Sequence, residues 1–103
     1  MEDLLARFLP QFVTLARTRI ETAISATTKR DAESVKMTVR ELHTLVGEAG
    51  LLGLGQVVPL ARACEQKAKH LQGPHSDADV SGLVDALHEL ERVIDGIGGP
   101  TAP

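Results

Sequence analysis

Apolar residues recur every three or four positions along most of this chain, and that spacing predicts a series of amphipathic helices. Leu5, Leu9, Phe12, Ala16, Ile20 and Ala23 form the first stripe. Pro10 stands inside it, and proline is tolerated in a first helical turn but not in a helix interior. The pattern therefore predicts a short helix over about 2–8 and a long one from about 10 to 28. A second stripe, Val35, Val39, Leu42, Val46 and Ala49, follows the capping residues and charged turn Thr27-Thr28-Lys29-Arg30-Asp31. The third is Val57, Ala61, Cys64, Ala68 and Leu71; Pro59 fits it only in an opening turn, so Gly53 and Gly55 mark the preceding connection. Gln72-Gly73-Pro74-His75 breaks the chain again, and Ser76-Asp77-Ala78-Asp79 offers an N-cap with an acidic first turn. Val80, Leu83, Leu87, Leu90, Ile94 and Ile97 make the last stripe. No alternating strand pattern competes. The expected fold is all-α: an antiparallel up-down four-helix bundle with a short extra N-terminal helix over residues 1–97, and a flexible tail at 98–103.

Composition narrows the picture. A length of 103 residues fits one domain. Hydrophobic residues make up 43% of the chain with two Phe and no Tyr or Trp, so the core must be aliphatic, which suits packed helices. A net charge of −3 without a Lys/Arg block argues against nucleic acid as a partner. No apolar run approaches the roughly 20 residues a membrane span needs. The Met-Glu-Asp start shows no signal-peptide pattern, and the single Cys64 excludes an internal disulfide, so the simplest compartment is the cytoplasm. His70, His75 and His88 have only carboxylates nearby and no second cysteine, which predicts surface residues and no metal site. Cys64 lies on a core stripe and reads as a small apolar group. No glycine-rich phosphate loop follows a strand, so no bound nucleotide or other cofactor is expected.

The chemistry concentrates on the second long helix. His43 lies about 100° round from Leu42, at the predicted border between buried and exposed surface. Gly47 follows at i+4 and Gly50 three residues beyond. Two helix-interior glycines cost on the order of 2 kcal/mol relative to alanine, so something must offset them. They fit two purposes: clearing the surface beside the imidazole for a partner, or allowing tight packing of neighbouring helices around an ordinary boundary histidine.

The run His43-Thr44-Leu45-Val46-Gly47, followed by Gly50, Leu52, Gly53 and Leu54, resembles the histidine phosphotransfer (HPt) domain family, whose hallmark is His-x-x-Lys-Gly. The likeness continues through Leu60-Ala61-Arg62-Ala63-Cys64-Glu65, and its nearest variety is the phosphotransfer domain of chemotaxis-type histidine kinases, which place a glutamate where Glu65 falls. The resemblance implies that His43 accepts a phosphoryl group and exchanges it with a receiver-domain aspartate in two-component signalling. It implies a phosphocarrier and not an enzyme, with a histidine kinase catalytic domain, a response-regulator receiver domain, or both, as partners. A carboxylate accepting the Nδ1 proton would fix the tautomer that frees Nε2 as the nucleophile, and this is the role expected of Glu65. Arg62, Glu65 and Lys69 share a face of the third helix, which makes Arg62 and Lys69 candidates for stabilising phosphoryl charge.

Val46 departs from the pattern, standing where the motif has lysine. This leaves open a slower or weaker phosphotransfer protein, a site where Arg40, at i−3 from His43, or Arg62 supplies the missing cation, or an unphosphorylated HPt-like adaptor that only binds a kinase or receiver. A third possibility is a structural bundle that oligomerises; a monomer is expected. Partner docking is expected to centre on Gly47, Gly50, Leu51 and Leu54.

Overall fold

The computed structural model of the chain describes residues 2–97. Four helices follow one another: α1 (Glu2–Lys29), α2 (Ala32–Leu51), α3 (Val58–His70) and α4 (Asp77–Ile97). Each packs on its neighbours in sequence, and α1 closes the bundle against α4. The aliphatic core expected from composition sits between them. Ile20, Leu42, Leu45, Leu83, Leu87, Leu90 and Ile94 are its largest fully buried side chains, with Phe12 at one edge. The third stripe, Val57 to Leu71, is buried in full as its spacing predicts.

The connections are fixed by local chemistry. Asp31 caps α2, accepting from the Ser34 amide at 2.8 Å, while Arg30 adopts φ 67° and its guanidinium donates to Asp77 at 2.6 Å. At the other end of α2 the Leu54 amide donates to Ala49 O and the Gly53 amide to Gly50 O, a Schellman closure with Gly53 at φ 68°. Only a residue without Cβ adopts that φ freely, so Gly53 is a stop signal. Pro59 falls in the opening turn of α3. Ser76 and Asp79 form a reciprocal capping box at α4, the Ser76 amide donating to Asp79 at 2.9 Å and the Asp79 amide to Ser76 Oγ at 3.2 Å. The bond from the Ser76 amide leads in holding the Asp79 carboxyl below its ordinary pKa.

The structure corrects three expectations. There is no separate short N-terminal helix, because α1 runs continuously through Pro10. Pro10 lies on the exposed side while Leu9, Phe12 and Val13 keep packing toward the core, so the lost hydrogen bond faces water and burial holds the helix together. Thr27 and Thr28 belong to α1 and not to the turn; Thr27 is buried, its hydroxyl donating to Ala23 O at 2.7 Å. On α2 the buried line is Val35, Thr38, Leu42, Leu45 and Ala49, with Val39 and Val46 half-buried beside it. Thr38 can enter the core because its hydroxyl donates back to Ser34 O at 3.0 Å. The tail at 98–103 and the Leu5 side chain lie outside the described residues and side chains.

Candidate functional site

Leu42 and Leu45 bury themselves on either side of His43 in sequence and so anchor the backbone that presents its ring. The rotated core line turns His43 further outward than a border position: its side chain is 78% exposed. On α3, Cys64 faces the core and the next residue, Glu65, points along the seam with α2, 7% exposed. The two meet across that seam, with His43 Nδ1 2.9 Å from Glu65 Oε2. An ionised carboxylate only accepts, so Nδ1 is the donor in this contact and Nε2 is not engaged by it. A buried carboxylate needs partners to offset lost hydration. Glu65 Oε2 has a second one in Lys69 Nζ at 3.5 Å.

Of the three basic residues considered for phosphoryl charge, then, only Lys69 is held at the His43–Glu65 pair. Arg40 and Arg62 are exposed and form no ion pair among the described residues. Val46 is half-buried against the core and brings no charge to the site.

The glycines do not serve the second of their two purposes, tight packing of neighbouring helices. Gly47 and Gly50 are exposed, and a Cβ on either would meet no atom within 4 Å, so neighbouring helices do not require them. Leu51, one turn beyond Gly47, is 90% exposed. Leu54 is not part of this surface: it is 8% exposed, because the Schellman closure folds it back onto the bundle. The spacing of apolar residues missed two neighbours of Leu51. Phe8 and Leu15 lie off the core stripe of α1, are 42% and 51% exposed, and line a shallow apolar groove with Leu51 and Leu52. Large apolar residues out of phase with their own stripe were the available signal.

Also missed was a polar cluster between α1 and α2. Arg19 Nε and one terminal nitrogen donate to the two oxygens of Glu48, and the other terminal nitrogen donates to Glu41, all at 3.0 Å. The Glu48 hydrogen bond leads in holding the guanidinium pKa above its ordinary value. Burial pushes the Cys64 thiol up to about 11, so it stays a protonated core group at neutral pH. His70, His75 and His88 have exposed rings, paired at most with Asp79, Gly73 O and Glu91. Among the described residues no group of three or more His, Cys, Asp or Glu side chains is placed to hold a metal ion, and no helix is long and apolar enough to cross a membrane.

A comparison with known families matches residues 7–95 to the family described as the Hpt domain. No curated protein and no solved structure matches the chain.

Proposed function

The chain belongs to the Hpt domain family and is a histidine phosphotransfer module of phosphorelay signalling; from that premise we propose that His43 is its phospho-accepting residue and Glu65 the group that orients it. Members of the family carry phosphoryl groups between kinases and receiver domains and are not themselves kinases. The observation that carries the assignment is the contact of 2.9 Å between His43 Nδ1 and the buried Glu65 carboxylate. It fixes the ring on a rigid helix with Nε2 left free for the phosphoryl group.

The Nε2 lone pair attacks the phosphorus of the donor, a P–N bond forms, and the P–O bond to the leaving group breaks with its electrons passing to that oxygen. Nδ1 keeps its proton. The phosphorylated ring is formally cationic, and the Glu65 carboxylate is its counter-charge. The return step to a receiver aspartate reverses the sense: the carboxylate oxygen attacks phosphorus and Nε2 leaves with the bonding pair. ATP and Mg²⁺ belong to the partners, and the module contributes position and surface. A receiver domain docks over Gly47 and Gly50, where no side chain obstructs it, with Leu51, Phe8 and Leu15 as apolar contacts. In this reading the module acts as a monomer in the cytoplasm, supplied by a histidine kinase or a phosphorylated receiver.

Phosphoramidate, a small phosphoryl donor, tests the acceptor without a partner. The protein should gain one acid-labile, alkali-stable phosphoryl group, and His43→Gln should gain none. Undiminished labelling of His43→Gln would sink the assignment. Receiver binding that persists with no label on the wild type would instead make the chain a non-phosphorylated adaptor.

A further inference from the structure

We propose that Lys69 is the cation that meets the phosphoryl group on His43, delivered from α3 and not from the histidine's own helix. The proposal rests on His43 being the acceptor. Glu65 Oε2 lies 2.9 Å from His43 Nδ1 and 3.5 Å from Lys69 Nζ, so imidazole and ammonium share a single carboxylate oxygen. The positive charge therefore waits beyond the carboxylate on the Nδ1 edge of the ring, and the long lysine stem is what carries it round to Nε2.

The pair Glu65–Lys69 has i,i+4 spacing with glutamate on the N-terminal side, the favoured order on a helix. Its two members differ in freedom: the Glu65 side chain is 7% exposed and the Lys69 side chain 48%. Glu65 is a fixed anchor, while Lys69 swings on a solvated stem. A separation of 3.5 Å is also long for a charge-assisted bond, which is tightest near 2.7–2.9 Å, so the ammonium gives it up readily.

Phosphorylation changes what that ammonium faces. The group arriving on Nε2 brings about 1.5–2 negative charges and three acceptor oxygens. An ammonium, a point charge with three donors, suits oxygens that move as the group transfers. Lys69 makes and breaks no covalent bond. Its ammonium neutralises the peripheral oxygens while the P–N bond forms and the donor's bond to phosphorus breaks. Among the described residues Lys69 is the basic side chain paired with the carboxylate that holds His43, while Val46 is apolar and Arg40 and Arg62 form no ion pair.

Labelling by phosphoramidate, in which ammonia leaves as Nε2 attacks, reads this directly. Lys69→Met should slow the labelling of His43 roughly five-fold, Lys69→Arg should stay within about two-fold of wild type, and Lys69→Glu should be slower than Lys69→Met. The final yield and the labelled residue should not change, which separates this result from a failure of His43 itself. In a Glu65→Gln background, Lys69→Met should still slow labelling by a similar factor, because the ammonium acts on the phosphoryl group and not through the carboxylate. The proposal falls if rates ignore the charge at position 69, or if the Lys69→Met effect vanishes in the Glu65→Gln background.

Discussion

Two polar clusters tie α2 to its neighbours, and they are built on opposite plans. Arg19, Glu41 and Glu48 join α1 to α2 with every member similarly covered, at 25%, 26% and 31% side-chain exposure. The guanidinium is forked onto one carboxylate and bonded to another, so its charge is spent within the cluster. His43, Glu65 and Lys69 join α2 to α3 around one buried carboxylate, whose partners are 78% and 48% exposed. A cluster closed on itself stabilises a fold. A cluster with a buried anchor and exposed arms holds a ring still while leaving it open to solvent, which is the arrangement the proposed acceptor needs.

The sharpest way to break this comparison is to disable each anchor in turn. Glu65→Gln should slow phosphorylation of His43 about 10–100-fold, the usual effect of removing the group that orients a functional histidine, and an unchanged rate would remove Glu65 from the mechanism. Arg19→Met should do the reverse, lowering the unfolding free energy by about 1–2 kcal/mol in a denaturant titration while labelling stays within about two-fold. If Arg19→Met slows labelling as much as Glu65→Gln does, the two clusters are not different in kind. Smallest in energy is Gly47→Ala, expected to raise stability by about 0.8–1.0 kcal/mol because the new Cβ meets nothing. That gain should come with slower transfer to a receiver domain and an unaltered rate with phosphoramidate; equal rates with both would remove Gly47 from the docking surface.

What the sequence made legible was local and periodic. The third and fourth helices follow their apolar spacing closely, and Ser76 and Asp79 cap α4 as their positions suggest. His43 and Glu65 were legible because a family pattern joins two short runs that spacing alone leaves apart. Features settled by three-dimensional context were harder. Thr38 looks polar in one dimension and is core in three, because its hydroxyl is satisfied by its own helix. Pro10 looks like a break, yet packing on both sides carries the helix through it. Leu54 looks like a docking residue until the turn at Gly53 folds it inward. Arg19 gives no local signal, since its partners lie 22 and 29 residues away.

The bond between His43 and Glu65 has one further consequence. It leaves the ring from Nδ1, so on the proposed assignment, with the cargo on Nε2, the tie between α2 and α3 is not cut when the cargo arrives. On this geometry the empty and the loaded protein share one silhouette. On that assignment a partner would distinguish them by the charge it meets at the surface and by the reach of Lys69, with the helices themselves unmoved, which would make this molecule a courier whose frame keeps no memory of its errand.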